Sequence, residues 1–421
     1  MKLEEIDLMN QDMFLRGEHL DAFKVMRTQA PVYWHERAEG QGFWSVTRYD
    51  DSLKVYHDPN TYSSERGMSL QFNFNADSGA QSGFGMMLLT TDPPRHGKLR
   101  QIVNRRFTPK ALAPYEAQVR RLCEEIIDGV IERGECDFVV DVAAKLPTAV
   151  ICEMMGVDRE HYDLMFTLAN MSIGFEDPEY QQGRSAIETG QYAQMQFFSF
   201  FSKLIEERRK NPGEDLLTAL VSGEAEGDRL SDMELLFNCL LLLVAGQETT
   251  RNATSGGMLA IVENPEQRAL LRRNPDITAT AIEEFLRYTS PVTHILRTAK
   301  KDGELRGQKI KNGDRVVIWN ASANRDEAAF SNPDAFDLAR TPNDHLAFGH
   351  GEHFCLGANL ARIELKVMIE AINRRMPDLE LAGPVERLRS NFVAGIKHMP
   401  VRFTPMRARA GASAPSQSAE K

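Results

Sequence analysis

The segment from Ser231 to Glu263 is the feature that most constrains the fold. Its apolar residues recur at three- and four-residue spacing, which predicts an uninterrupted α-helix. At 1.5 Å per residue, about 33 residues span roughly 50 Å. Ser231 and Glu234 form a capping-box pattern at the start of the segment. A helix of this length crosses a whole domain, so the rest of the chain must pack around it.

The remaining periodicity predicts a mainly α protein with small β-sheets. Six further helical segments lie near 93–106, 115–133, 141–155, 190–210, 276–288 and 358–375. Five short strand-like stretches lie near 32–34, 43–46, 293–298, 315–319 and 401–404. The β-rich part is thus expected near 30–60 and 293–320.

The chain organisation is predicted to be simple. We expect residues 1–404 to form one domain. The tail 405–421 is rich in Ala, Ser, Arg and Gly, and we expect it to be disordered. Residues 64–88 combine glycines with phenylalanines, which predicts a long loop that acts as a lid.

Charge and cysteine content exclude several classes of protein. A net charge of -10 without a basic cluster argues against a nucleic-acid partner. The longest apolar run, near 235–246, has about 12 residues, whereas a membrane span needs roughly 20. The acidic first residues do not look like a secretory signal. Five widely spaced cysteines without a C-x-x-C pair argue against a disulfide framework, so we expect a cytoplasmic protein.

The segment FGHGEHFCLGA, residues 348–358, is the strongest candidate for a cofactor site. A thiolate ligand to haem iron needs a sulfur on a tight loop, a backbone that can approach the porphyrin, and amides near the sulfur. The three glycines of the segment supply a permissive backbone around Cys355. The helix predicted over 358–375 places its positive end close to the sulfur.

Taken alone, this segment leaves other interpretations open. Cys355 could be a buried structural cysteine in a glycine turn. A zinc site is a sharper alternative, because His345, His350 and His353 lie close to Cys355 in the sequence.

The segment AGQETT lies within the long predicted helix. Helical spacing places Ala245, Glu248 and Thr249 on one face, with Gly246 beside them. Small residues leave room for a bound gas molecule, and an acid next to an alcohol can relay protons. The alternative is that Thr249 bonds back to its own helix while Glu248 pairs with a cation.

Together these motifs resemble those of the cytochrome P-450 superfamily. The haem signature of that family is Phe-x-x-Gly-x-His/Arg-x-Cys-x-Gly, and every fixed position is filled by Phe348, Gly351, His353, Cys355 and Gly357. AGQETT is similar to the family's Ala-Gly-x-Asp/Glu-Thr. Glu284, Arg287 and Arg340 match its Glu-x-x-Arg with a third arginine. The resemblance covers about 91–403.

The resemblance implies a fold with haem b between the long central helix and the helix after the cysteine loop. It implies that Cys355 is the axial iron ligand and that Glu248 and Thr249 guide protons. The other implied haem-binding residues are His96, Arg100, Ala245, Arg297, Phe348, His353 and Gly357. Glu284, Arg287 and Arg340 are implied to be structural.

The implied activity is that of a bacterial haem-thiolate monooxygenase, which inserts one oxygen atom of O2 into a C–H bond. An apolar small molecule is the expected substrate, with a steroid, isoprenoid or branched lipid favoured. The alternative is an amino acid or natural-product intermediate held on a carrier protein. A non-enzymatic haem sensor would need a regulatory module that the sequence does not reveal.

The expected partners and pocket complete the prediction. No flavin or nicotinamide module is visible, so a ferredoxin and a ferredoxin reductase are the expected electron donors. Basic residues that could meet an acidic ferredoxin are Lys98, Arg105, Arg106, Arg362 and Lys366. The substrate pocket is expected to be lined by apolar residues of 84–89, 243–245, 292–295 and 393–396.

Overall fold

The computed structural model describes residues 1–37, 42–71 and 83–409. Its α-helices are α1 (Gln11–Leu15), α2 (His19–Gln29), α3 (Tyr49–Tyr56), α4 (Arg95–Asn104), α5 (Pro109–Ile131), α6 (Lys145–Met155), α7 (Tyr162–Ile173), α8 (Pro178–Gln181), α9 (Ala186–Lys210), α10 (Leu216–Ser222), α11 (Asp232–Glu263), α12 (Pro265–Arg273), α13 (Thr278–Thr289), α14 (Asn320–Ala323) and α15 (Ala358–Arg375). Its strands are β1 (Val32–His35), β2 (Phe43–Val46), β3 (Tyr62–Ser63), β4 (Glu135–Asp137), β5 (Glu224–Ala225), β6 (Asp228–Arg229), β7 (Ile295–Ala299), β8 (Gly303–Leu305), β9 (Gln308–Ile310), β10 (Arg315–Ile318), β11 (Glu380–Leu381), β12 (Glu386–Arg387), β13 (Ile396–His398) and β14 (Pro400–Arg402). The prediction of a mainly α protein with small sheets is confirmed.

Helix α11 is the long helix predicted from the sequence, and it organises the helical body. Its predicted capping box forms: the Ser231 hydroxyl accepts from the Glu234 backbone N–H, and the Glu234 carboxylate accepts from the Ser231 backbone N–H. Helices α6, α7, α9, α13 and α15 all pack against α11. Because its middle is surrounded on most sides, polar residues there are buried rather than solvated.

The largest sheet joins the two predicted β-rich regions. Its strand order is β1-β2-β10-β7-β3, and β2 pairs in parallel with β10 so that Trp44 lies opposite Val316. Distant parts of the chain therefore meet in one sheet. The single-domain organisation of residues 1–404 stays a prediction that this pairing favours.

Two predicted helices begin at other residues in the structure than the sequence pattern indicated. Helix α5 begins at Pro109, ahead of the predicted residue 115, because Thr108 caps its first turn and proline is favoured at the first helical position. The segment predicted as one helix over 141–155 is instead a π-helical turn, Val139–Ala143, followed by α6.

Glu284 and its partners connect α13 to the segment that precedes the cysteine loop. The Glu284 carboxylate accepts hydrogen bonds from Arg287 at 2.7 and 2.8 Å and from Arg340 at 3.1 Å. The backbone N–H of Asp337 and the side-chain amide of Asn343 donate to the same carboxylate. The network is buried, so it holds the approach to the cysteine loop in place, as the resemblance implied.

Some predictions fall partly outside the described residues. Of the predicted lid loop 64–88, residues 72–82 lie outside them. Residues 405–409 of the predicted disordered tail are bonded to α5, where Arg409 pairs with Asp128; the rest of the tail, 410–421, lies outside. None of the described helices is both long and apolar enough to cross a bilayer. The cytoplasmic location remains a prediction.

Candidate functional site

The loop before α15 presents Cys355 to an internal cavity. The Cys355 backbone N–H donates to the carbonyl of Phe348 at 2.9 Å, which closes the loop. Gly349 and Gly351 have φ values of 67° and 70°, in the left-handed region that favours glycine. A Cβ on Gly351 would lie 2.6 Å from the backbone oxygen of Tyr56. Gly351 is therefore required by both conformation and space, and Gly349 by its conformation.

Charges around Cys355 oppose the effect of its burial. Burial raises the pKa of the Cys355 thiol, whereas the backbone N–H of Gly357 and the charges of Arg100 and Arg362 lower it. Helix α15 begins at Ala358, so its positive end also lies near the sulfur. The pKa of Cys355 is raised overall, and these neighbours offset part of the effect of burial on the thiolate, which is the form that binds metals.

The middle of α11 forms the opposite wall of the cavity that Cys355 lines. Ala245, Gly246 and Thr249 face it from α11, and Phe348 and Gly357 face it from the cysteine loop. Many of the other lining residues are hydrophobic, among them Leu88, Leu241, Ile295 and Leu360. The cavity therefore separates α11 from the start of α15, as the predicted fold requires.

Four predicted cofactor-binding residues gather at one end of this cavity. They are His96, Arg100, Arg297 and His353. The rings of His96 and His353 lie 4.0 Å apart between their centroids. Arg100 donates to the carbonyls of Glu352 and Phe354. The guanidinium carbon of Arg297 lies 5.9 Å from the centroid of the Tyr56 ring.

This group is cationic and lacks an acidic partner. Arg297 is only 4% exposed, and no carboxylate oxygen of the described residues lies within 4 Å of its nitrogens or those of Arg100. Burial, together with the charges of Arg297, His96 and Arg100, lowers the pKa of His353 to about 2. A buried cation without a counter-ion is costly, so the group suits a ligand that carries carboxylates.

Thr249 lines this cavity, whereas Glu248 lines only a second cavity that adjoins it, and the two side chains do not bond to each other. Thr249 donates from its hydroxyl to the carbonyl of Ala245 at 2.8 Å, and Arg251 donates to the Glu248 carboxylate at 2.5 Å. These are the two contacts that the alternative interpretation of AGQETT described. The sequence analysis missed Arg251, although its three-residue spacing from Glu248 is that of a helical ion pair.

The zinc interpretation is not supported by the side-chain geometry. His345 bonds to Glu283, and His350 contacts His57. The possible metal ligands that do cluster in the described part of the chain are Glu179, Glu386 and His398, which belong to other elements. The candidate zinc ligands around Cys355 therefore do not converge on one point.

A second cavity adjoins the first. Six residues line both cavities: Leu89, Leu241, Ala245, Thr249, Val292 and Ile295. The expected regions near 84–89, 292–295 and 393–396 contribute Phe84, Met87, Leu89, Val292, Ile295 and Val393. Two expectations were wrong in detail. Of the expected residues 243–245, only Val244 and Ala245 line the cavity, because Leu243 is fully buried in the core, and Ile396 does not reach the cavity.

The sequence analysis missed the wall formed by α7 and α9. Ser172 and Ile173 at the end of α7, and Ile187 and Gly190 on α9, line the second cavity. Gln191 and Gln194 are polar exceptions in this wall. Helical periodicity predicts an apolar face but not which neighbour that face meets, so no local signal marked these residues.

Of the five basic residues predicted to meet a partner, three pair with carboxylates. Lys98 contacts Asp228, Arg362 contacts Glu283 through two nitrogens, and Lys366 contacts Glu116. Arg105 and Arg106 have no carboxylate oxygen within 4 Å among the described residues. The positive charge of the predicted patch is therefore partly neutralised.

The chain as a whole is similar to proteins of one family. A family model described as cytochrome P-450 matches residues 182–375. Linalool 8-monooxygenase of Pseudomonas putida is 35% identical over 408 residues, which cover 96% of this chain and 100% of that protein. A methyl-branched lipid omega-hydroxylase of Mycobacterium tuberculosis is 40% identical and covers 91% of this chain and 90% of its own length.

A solved structure agrees with these relatives. A cytochrome P-450 of Mycobacterium marinum in complex with pseudoionone superposes with a TM-score of 0.89 at 35% identity, covering 95% of this chain and 98% of that one. This chain belongs to the cytochrome P-450 family. Proteins of this family bind haem iron, depend on redox partners and accept apolar substrates, and the relatives named above as a monooxygenase and a hydroxylase make this chain a monooxygenase.

The residues of this cytochrome P-450 fit haem. The cavity offers a single sulfur ligand, apolar walls for the porphyrin faces, and buried donors without an acidic partner for the two propionates. Hydrogen bonds and charge from arginine suit carboxylates because the guanidinium presents several donors.

We predict that Arg297→Leu weakens haem retention, because it removes a buried cation that the propionates need. Loss of a hydrogen bond to a charged group costs about 1.5–3 kcal/mol, so the rate of haem transfer to an excess of acceptor protein should rise roughly ten- to a hundred-fold. Arg325→Leu is the matched control, since Arg325 is also buried but pairs with Asp334 away from the cavity. Equal haem loss from the two variants would contradict the assignment.

Proposed function

We propose that this cytochrome P-450 hydroxylates an apolar small molecule of the steroid, isoprenoid or branched-lipid class, using haem b. The observation that carries the proposal is the second cavity, which continues from the haem cavity between α11, α7 and α9 and has mostly apolar walls. Burial of apolar surface is the main source of affinity in such a cavity. Linalool, pseudoionone and methyl-branched lipids, named for three relatives, are molecules of this kind.

We assign the haem contacts as follows. Cys355 would bind the haem iron through its sulfur, and His96, Arg100, Arg297 and His353 would hold the propionates. Ala245, Phe348 and Gly357 would contact the porphyrin. When bound, haem b supplies the redox chemistry that activates dioxygen, helped by electron density from the thiolate.

The chain's own contribution is to position the substrate, exclude water and deliver protons. Ile295 and Val292 lie where the two cavities meet, so they would hold the substrate next to the haem. Glu248 lines the second cavity, and its Oε1 has no partner among the described residues. The Thr249 hydroxyl can rotate from the Ala245 carbonyl towards the cavity. We therefore assign proton delivery to Glu248 and Thr249.

We further propose that a ferredoxin, reduced by a ferredoxin reductase, supplies the electrons. Arg105 and Arg106 follow α4, the helix that carries His96 and Arg100, and no carboxylate neutralises them in the described part of the chain. They are the part of the predicted basic patch that remains available to an acidic partner. Arg362 has a different task, because its bidentate pair with Glu283 braces the start of α15.

The substrate class is tested by titrating the haem-loaded protein with an isoprenoid alcohol, a methyl-branched fatty acid and a steroid. We expect at least one class to shift the haem absorption band and to yield a hydroxylated product by mass spectrometry. An amino acid on a carrier protein is the comparison ligand. Binding and product with the carrier-bound ligand alone would overturn the proposed substrate class.

We predict that Thr249→Ala uncouples oxygen use from product formation. The exchange should alter helix stability by only a few tenths of a kcal/mol, so the fold should survive. Without the hydroxyl, proton delivery is disordered, so product should fall while the peroxide formed per electron rises. Ser255→Ala is the matched control, since the Ser255 hydroxyl also bonds back to its own helix but does not line the cavity.

The two outcomes of this test are distinct. A proton-delivery role leaves substrate affinity, read from the spectral shift, nearly unchanged. Weakened affinity with unchanged coupling would instead make Thr249 a residue of the substrate pocket.

A further inference from the structure

A buried polar cluster lies at the centre of α11, beside the substrate cavity. It comprises Gln247, Glu248, Arg251 and Asn252 of α11 with Asn170 of α7, and we call it the α11 polar cluster. The four α11 residues share one side of a helix with 3.6 residues per turn. Every member is at most 6% exposed. Such a concentration of buried polar groups is costly unless its members bond to each other.

Arg251 connects three of the other members of this cluster, Glu248, Asn170 and Asn252. One terminal nitrogen of its guanidinium donates to the Glu248 carboxylate at 2.5 Å, and the other donates to the side-chain oxygen of Asn170 at 2.5 Å. Its Nε donates to the side-chain oxygen of Asn252 at 3.4 Å. Arg251 is therefore the link between the acid of α11 and helix α7.

Only one of the two carboxylate oxygens of Glu248 accepts a hydrogen bond from the described residues. Oε2 accepts from Arg251, while Oε1 has no partner among the described residues and the side chain lines the cavity. Arg251 thus fixes one end of the carboxylate and leaves the other end without a partner among the described residues. The direction in which Glu248 presents a proton depends on where Arg251 lies.

Asn170 connects this arrangement to the cavity wall. It lies two and three residues before Ser172 and Ile173, which line the second cavity at the end of α7. The side chain of Asn170 is held by Arg251, so a substrate that presses on the end of α7 acts on the same segment that holds the guanidinium.

We propose that Arg251 is the positioning residue for Glu248, and that Asn170 positions Arg251 in turn, so that α7 and the proton-delivering acid form one connected unit. This proposal rests on the role of Glu248 in the proposed function. Neither Arg251 nor Asn170 touches the reacting atoms, and both act through Glu248.

The electrostatics of the pair agree with this geometry. Burial raises the pKa of Glu248, and the charge and hydrogen bond of Arg251 lower it. The other titratable group that faces the pair is the hydroxyl of Tyr180 on α8, while α7 contributes the uncharged Asn170. An acid that delivers protons must both gain and lose one near the working pH. Arg251 therefore sets the pH range in which Glu248 can act.

The test compares Arg251→Gln with Arg251→Lys in the haem-loaded protein. Infrared difference spectra across pH report the carboxylic acid band of Glu248, which is identified by its loss in Glu248→Gln. An opposite charge at this distance shifts a carboxyl pKa by about 1–3 units, so the midpoint of the band should move up by that amount in Arg251→Gln. Lysine keeps the charge and should restore most of the midpoint.

A second readout is the pH profile of peroxide formed per electron, which should move with the infrared midpoint. Arg375→Gln is the matched control, because Arg375 is also a buried arginine paired with carboxylates, Glu124 and Asp128, but it lies away from the cavity. It should lower thermal stability without moving either midpoint.

If Arg251→Gln does not load haem, Asn170→Ala tests the positioning role of Arg251 in its place. It leaves the ion pair in place but removes the acceptor that holds the guanidinium, so a smaller shift in the same direction is expected. In wild type, substrate binding should alter the Glu248 band, and in Asn170→Ala that change should be lost.

Unmoved midpoints in whichever of Arg251→Gln and Asn170→Ala loads haem would overturn the proposal. A different result would overturn the function on which it rests: if Glu248→Gln left the peroxide formed per electron unchanged, Glu248 would not deliver protons. The two failures are therefore distinguishable, because the first concerns the neighbours of Glu248 and the second concerns Glu248 itself.

Discussion

The buried carboxylate of Glu284 is the interaction on which the site depends. It accepts hydrogen bonds from two arginines of different parts of the chain and from a backbone amide. The acid and both arginines are buried, so water cannot replace these hydrogen bonds. Removing one member of such a network strands a buried charge at a cost of about 3–5 kcal/mol. The network fixes the segment from Phe336 to Arg340, from which the chain runs directly into the cysteine loop. The position and orientation of the Cys355 sulfur therefore depend on this network.

The second constraint is a balance of charge across the haem cavity. One end gathers the guanidinium cations of Arg100 and Arg297 with the imidazoles of His96 and His353, whose pKa values are lowered. The wall opposite α11 carries Cys355, whose neighbours offset part of the rise that burial causes in its pKa. Neither arrangement is favourable in an empty apolar cavity, because unpaired buried charge is costly. Both become favourable around a cofactor that brings a metal cation at its centre and carboxylates at its edge. Folding and cofactor binding are therefore coupled in this chain.

The sequence predicts those parts of the fold whose signals are local. The capping box of α11 follows from side chains at the start of that helix, and the bounds of α15 follow from its apolar periodicity. Gly349 and Gly351 of the cysteine loop have the left-handed backbone that favours glycine. Contacts between distant elements have no such local signal. Of the expected residues 243–245, Leu243 does not line the pocket, because each residue turns a helix by about 100° and Leu243 faces the core while Val244 and Ala245 face the cavity. The wall formed by α7 and α9 and the bond between Asn170 and Arg251 depend on how helices pack, and periodicity does not contain that information.

The central claim is that Cys355 binds the iron. The most direct measurement is the absorption spectrum of the reduced protein under carbon monoxide, compared between wild type, Cys355→His and Cys239→Ser. Cys239 is buried in α11 and serves as the matched control. The account predicts the strongly red-shifted band of a haem thiolate in wild type and in Cys239→Ser, and its loss in Cys355→His. An unchanged red-shifted band in Cys355→His would contradict the account, because the thiolate would then have to come from another cysteine.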